Sequence, residues 1–170
     1  MGIAKNIEQG MNDIMIEDSE QCLTFILDGE EYGVDILRVQ EIKGWESATP
    51  MPNTPDYIKG VINLRGSIVP IIDLRKLFNM ESIAYGATTV VIVLKTVTAN
   101  VERTMGIVVD AVSDVYNIGS EDLSPPPDLG ELAIKYVKGL AMFSDKMVIV
   151  LDIDGLLNEG LIQTIVEPDQ

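Results

Sequence analysis

From Gln21 onward the chain alternates in a period of two. Leu23, Phe25 and Leu27 are interleaved with Cys22, Thr24, Ile26 and Asp28, the pattern of a strand with its two faces in different surroundings. Asp28-Gly29 follows, a dipeptide that tolerates positive φ and so predicts a tight hairpin turn before the strand of Glu30 to Ile36. The alternation runs on to Ile42, with Leu37, Val39 and Glu41 on one face and Arg38, Gln40 and Ile42 on the other, predicting a long strand that bends. Pro50, Pro52 and Pro55 then rule out regular structure and predict an extended loop. Upstream, Ile3, Ile7, Met11, Ile14 and Met15 stand at loosely helical spacing among acidic residues, so residues 1–20 are expected to be a tail or a frayed helix. The folded unit is expected over residues 21–157, and residues 158–170 to be a second tail or helix.

The chain also resembles itself. Residues 57–78 align without gaps to 136–157, and Tyr57, Lys59, Gly60, Val69, Asp73 and Leu77 recur as Tyr136, Lys138, Gly139, Val148, Asp152 and Leu156. Upstream, Tyr32 to Ile42 resembles Met105 to Val115, and Leu23 to Leu27 resembles Val90 to Leu94. The pieces keep the same order in both halves. An all-β fold follows, built from two similar units of about five strands, enough to close a small barrel and hide its edges, around a shared core. A parallel α/β sheet does not fit, because no amphipathic helix separates successive strands and no G-x-G-x-x-G occurs. Helices are confined to short segments: Asp73 to Phe78, the stretch from Asp152 or Asp154 to Leu157, and the region of Asp128 to Tyr136.

Composition narrows the function. Among 170 residues, 46% are hydrophobic, ample for a core. Twelve basic against 27 acidic residues give a net charge of −15, which repels phosphate backbones and anionic headgroups, so nucleic acid is not an expected partner. The longest apolar runs, such as Val90 to Leu94 and Met147 to Leu151, fall far short of the roughly 20 residues of a membrane span. No membrane insertion is expected. The start of the chain lacks a signal-peptide pattern, so a cytoplasmic location is expected. Cys22 is the single cysteine and there is no histidine. No disulfide, transition-metal site or histidine-dependent nucleophile is therefore expected.

The remaining chemistry is sparse. Asp73 and Asp152 recur in the repeat and invite the idea of a carboxylate pair sharing a proton. Each, however, ends an apolar strand and opens a short helical pattern, where a helix cap accounts for it. Acidic pairs such as Glu121-Asp122 lack the spacing of a calcium loop, no phosphate-binding glycine loop occurs, and Trp45 has no basic neighbourhood for base stacking. No catalytic residue, cofactor or metal is assigned. Arg65 stands apart: in the turn Leu64-Arg65-Gly66-Ser67 it occupies the position of Ser144 in the second half, so the repeat does not require it. A guanidinium there can pair with a carboxylate, for which Glu41 is the candidate, and keep donors for a partner, or it can simply be a solvated turn residue.

These stretches resemble a known family. Phe25 to Ile42, Asn53-Thr-Pro55, Tyr57 to Arg75 and Gly106 to Val115 are similar, in order, to the motifs of the CheW family of bacterial chemotaxis coupling proteins, and the likeness runs from about Gln21 to Leu157. The resemblance implies two five-stranded SH3-like β-barrels packed on a shared hydrophobic core. It also implies a noncatalytic adaptor that joins the cytoplasmic signalling tip of methyl-accepting chemoreceptors to the regulatory domain of the histidine kinase CheA, in the cytoplasm at membrane-associated receptor arrays. Receptor-binding positions carried over residue by residue are Val39, Glu41, Gly60, Arg65, Gly106, Val112 and Val115, with Arg65 paired to Glu41 beside the receptor groove. The resemblance further implies that Lys95 to Thr104 makes a longer hairpin than shorter members of that family have. Two other readings stay open: a regulatory module of another two-component pathway, and an aspartate-based hydrolase.

Overall fold

In the computed structural model, residues 19–98, 100–126, 136–143 and 145–157 are described. Asp28 (φ 54°) and Gly29 (φ 79°) form the expected left-handed turn between β1 (Ser19–Leu27) and β2 (Glu30–Asp35). The long bending strand predicted next is instead interrupted. Asp35 accepts a hydrogen bond from the Leu37 amide at 3.0 Å and starts a single 3-10 turn, Ile36–Arg38, before β3 (Val39–Gly44) begins. A short acidic side chain that satisfies the backbone locally competes with the sheet ladder, which alternation alone does not reveal. Leu37 therefore leaves the face it was assigned to and is exposed. After the proline loop come β4 (Ile58–Leu64), β5 (Ser67–Asp73) and α1 (Leu74–Leu77). The second half supplies β6 (Val90–Thr98), β7 (Val101–Val109), β8 (Ala111–Gly119), β9 (Leu123–Ser124), β10 (Val137–Phe143), β11 (Lys146–Leu151) and α2 (Ile153–Gly155). Both helices have the expected caps: Asp73 accepts from the Lys76 amide and Asp152 from the Gly155 amide. The helix expected over Asp128 to Tyr136 falls almost wholly outside the described residues, as do both terminal tails.

The strands form two sheets, one ordered β8-β1-β2-β11-β10-β9 and the other β3-β6-β7-β5-β4. The repeat thus does not give each half a sheet of its own. The β1–β2 hairpin of the first half is inserted between β8 and β11 of the second, and the β6–β7 hairpin of the second half between β3 and β5 of the first. Each insertion makes one parallel joint, β2 with β11 and β7 with β5, and the two joints match position for position: Gly33 faces Val150 as Gly106 faces Ile71. The register also corrects the repeat alignment. Phe25 lies opposite Tyr32 as Leu94 lies opposite Met105, so Phe25 corresponds to Leu94 and not to Ile92. Because the slip is even, every side chain keeps its face, and hydrophobic pattern alone could not detect it.

Burial follows the exchange. One central core takes residues from both halves, including Phe25, Val34, Ile72, Ile92, Ile107 and Leu156, all fully buried. Two satellite cores are counterparts: Val69, Ile71 and Val91 with Trp45 and Ile62 in one, and Val148, Val150 and Cys22 with Ala141 and Phe143 in the other. The chain also joins the ends of each sheet. Thr49, beyond β3, exchanges two backbone hydrogen bonds with Val61 of β4 at 2.9 Å, and β9, beyond β8, pairs with β10. Closure of a small barrel demands this meeting of ends.

Two ion pairs fasten the halves where a helix of one meets a connector of the other. Arg75 of α1 is buried and forks onto Asp110, between β7 and β8, with Nε–Oδ1 at 2.9 Å and NH2–Oδ2 at 2.7 Å; its NH1 donates to the Glu81 carbonyl and its NH2 lies 3.5 Å from Asp28. The Asp28 amide also donates to Asp110 at 2.9 Å. Burial pushes the Asp110 carboxyl upward, but the Arg75 guanidinium and the Asp28 amide outweigh it and hold the group below its ordinary range. A carboxylate with a depressed folded pKa adds stability above the unfolded pKa near 4 and loses it as pH falls through the folded value. Asp110→Asn should therefore cost about 3 kcal/mol at neutral pH, the typical penalty for breaking a buried pair. Urea unfolding of both proteins between neutrality and pH ~3 should show the gap shrinking on the acid side; a gap independent of pH would assign the loss to packing.

Candidate functional site

Arg65 and Gly66 form the β4–β5 turn with φ of 51° and 90°, the paired positive values of a two-residue hairpin loop. Glycine and asparagine occupy such a first position at little cost, whereas a long branched-charge side chain in the left-handed region is disfavoured by about 1 kcal/mol. The turn is pinned by Asn63, whose Oδ1 accepts the Gly66 amide at 2.8 Å. Arg65 reaches from this turn to β3, where NH2 meets Glu41 Oε1 at 2.5 Å; its side chain is 78% exposed and that of Glu41 only 22%. β3 and β4 are the two end strands of their sheet, so the pair spans the two ends at the surface, as the Thr49–Val61 bridge does through the backbone. A mostly covered carboxylate is thereby held in one orientation while most of the arginine side chain stays open to solvent.

The other predicted site residues divide by burial. Val39, at the start of β3, packs partly on the central core. The register with β6 slips between Val39 and Glu41, leaving Gln40 as a bulge that turns Glu41 toward the hairpin. Gly60 is buried with φ 135°, and a Cβ there would fall 2.1 Å from the Thr49 carbonyl oxygen. At its counterpart Gly139, whose φ is not positive, a Cβ would fall 2.6 Å from Leu123 and 2.7 Å from the Ser124 carbonyl oxygen. Gly106 is buried at the parallel joint, where a Cβ would meet Ile71 at 2.7 Å and Val91 at 2.9 Å. Both glycines thus act on closure and packing rather than through an exposed backbone. Val112 and Val115 lie on β8, in the other sheet from Glu41 and Arg65; Val112 packs on the central core and Val115 is 45% exposed. β8 has the same bulge as β3, between Val112 and Val115 opposite Thr24, and the Thr24 hydroxyl bonds the Asp114 backbone there. Asp114, the counterpart of Glu41, turns back to accept the Val115 amide at 2.8 Å.

The aspartates do not form a pair. Asp73 is buried, caps α1 and accepts the Tyr85 hydroxyl, while Asp152 caps α2 in the other half. Burial first, and then the Asp73 carboxylate, push the Tyr85 phenol up, which keeps it a neutral donor. Trp45 packs edge-on against Tyr85 in a satellite core. No group of metal-ligating side chains gathers among the described residues, and no helix among them is long and apolar enough to cross a membrane. The Arg75–Asp110 and Arg38–Asp154 pairs escaped sequence reasoning, because partners 35 and 116 residues apart leave no local pattern.

Comparison with known proteins decides the family. The family model described as CheW-like domain matches residues 21–160. The chain belongs to the CheW family. It is 49% identical over 140 residues to the chemotaxis protein CheW of Klebsiella aerogenes, covering 82% of each chain, and 33% identical over 137 residues to CheW of Rhizobium meliloti, covering 80% of this chain and 86% of that one. In three dimensions it is similar to the scaffolding protein TtCheW of Thermoanaerobacter tengcongensis, with a TM-score of 0.71 at 34% identity over 78% of this chain and 88% of the other. CheW proteins are noncatalytic, and this one is a scaffold of chemotaxis signalling, not an enzyme.

Two stability predictions follow from the site. Gly60→Ala should cost about 2–4 kcal/mol, because backbone strain and a collision with the Thr49 carbonyl add; an unfolding midpoint within error of wild type would show that the bridge yields freely. Arg65→Asn should unfold at the same or slightly higher urea, since relief of the left-handed strain of about 1 kcal/mol exceeds the loss of an exposed ion pair. A clear fall in its midpoint would mean that the Glu41 pair holds the sheet ends together.

Proposed function

We propose that this protein couples methyl-accepting chemoreceptors to the histidine kinase CheA in the cytoplasm, by contact alone. The receptor's signalling tip docks along Val39, Glu41 and the Arg65 turn and across the β8 residues Val112 and Val115, while Gly60 and Gly106 shape the strands that carry them. The observation behind this reading is Arg65 itself: exposed, paired to Glu41, and kept in a backbone conformation that favours asparagine or glycine. A residue that costs stability in its turn is explained by an external partner. The apolar valines supply contact area and the ion pair supplies orientation. The regulatory domain of CheA takes a separate, mostly apolar face in the second half, where Met142 and Met147 stand exposed opposite one another on β10 and β11.

Capture of a chemoreceptor signalling fragment and of the CheA regulatory domain by wild type and Arg65→Glu tests this, with circular dichroism as the folding control. The variant should lose receptor affinity on the order of tenfold or more, as for a reversed interfacial charge, and keep the kinase domain. Wild-type affinity for both would remove Arg65 from the site, and failure of wild type to bind either would overturn the coupling reading.

A further inference from the structure

Both strands that carry the proposed docking valines are anchored, at the residue just before their first, to a helix of the opposite half. β3 begins at Val39, immediately after Arg38, and Arg38 NH2 bonds Asp154 Oδ2 of α2 at 2.6 Å. β8 begins at Ala111, immediately after Asp110, which accepts the Arg75 fork from α1. In the internal repeat Arg75 and Asp154 are equivalent positions, and Arg38 is equivalent to Ala111, the neighbour of Asp110. The two contacts therefore sit at related places with their polarity reversed: cation on the helix and acid on the connector in one, acid on the helix and cation on the connector in the other. Each helix residue also touches the hairpin that the other half receives or gives, Arg75 at Asp28 and Asp154 through the Val97 amide at 3.4 Å.

We infer that the Arg38–Asp154 pair is a positioning contact for the receptor surface, setting the root of β3, and with it Val39 and Glu41, against the half that carries Val112 and Val115. This rests on the docking reading above. The pair is not needed to close the core: both side chains are about one-third exposed, at 30% and 34%, and the 3-10 turn containing Arg38 has no buried residue. What it constrains is direction. Val39 follows Arg38 directly and the Gln40 bulge follows Val39, so a shift at Arg38 passes into the placement of Glu41 without crossing a flexible linker. The buried Arg75–Asp110 contact holds the β8 root more rigidly, which makes β3 the adjustable side.

The polarity reversal supplies the test. Arg38→Asp and Asp154→Arg each place like charges together, whereas the double variant R38D/D154R restores a pair with the polarity that Arg75 and Asp110 already use. Each single variant should remain folded by circular dichroism and weaken binding of a chemoreceptor signalling fragment by about fivefold, and the double variant should return to within about twofold of wild type, the behaviour of directly coupled positions. Amide exchange over Val39–Gly44 should accelerate in the single variants and recover in the double. The milder Arg38→Gln should show the same direction if a charge reversal unfolds the chain. Folded single variants that bind as wild type, or a folded double variant that stays as weak as either single, would overturn the inference while leaving the docking reading intact, provided Arg65→Glu still weakens binding about tenfold or more. If Arg65→Glu binds normally or wild type binds no fragment, the docking reading itself fails and the positioning role falls with it.

Discussion

Everything in this molecule depends on the reciprocal insertion of two hairpins. Each sheet needs a hairpin from the opposite half to bridge its own strands, so neither half buries its apolar faces alone. The parallel joints set the tolerances: Gly106 lets β7 approach β5 where a Cβ would strike Ile71 at 2.7 Å, and Gly33 lets β2 approach β11 where a Cβ would crowd Val148 at 3.1 Å. Burial is thereby shared, and the central core draws on β1, β2, β5, β6, β7 and α2 at once. A single cooperative unit is the thermodynamic consequence, since opening one sheet strips strands from the other. For a scaffold this matters more than for an enzyme with a local site, because a surface assembled from both halves keeps its shape only as long as the halves are locked.

Pseudo-symmetry gives the scaffold two related faces, and small departures from it give them different chemistry. Glu41 and Asp114 occupy equivalent bulges, yet Glu41 meets the exposed Arg65 while Asp114 caps its own neighbour's amide. One bulge presents an oriented ion pair and the other a self-satisfied acid beside the exposed Val115. The two faces thus offer charge on one side and apolar surface on the other, without any change of backbone.

Sequence reading recovered what is periodic. Alternation from Leu23 to Leu27, the Asp28-Gly29 turn, the repeat and the two aspartate caps all leave local marks, and the second-half match located β10 and β11 through Tyr136 and Asp152. Three things left no mark. The 3-10 turn at Ile36–Arg38 broke a pattern that looked unbroken, because Asp35 satisfied an amide that the strand would have used. The hairpin exchange is a choice between pairings of equal local quality, and the two-residue slip of β6 against β1 preserves every facing. The ion pairs joining α1 to Asp110 and α2 to Arg38 depend on which half each helix meets, which is a property of topology alone.

The site shows the same division from another side. Arg65 was conspicuous in the sequence because its counterpart is Ser144, and its backbone conformation adds a physical reason for the asymmetry. Gly60 and Gly106 were associated with docking on resemblance, but their surroundings give each a prior duty in the fold: one admits the Thr49 carbonyl at the closing bridge and the other admits Ile71 and Val91 at the joint. A substitution at either position acts first by moving β4 or β7. The predicted site positions therefore fall into two mechanical classes, side chains that reach the surface wholly or in part and buried glycines that fix where those side chains stand. Loss of binding distinguishes them only when stability is measured alongside it, since the first class leaves the unfolding midpoint nearly unchanged and the second lowers it.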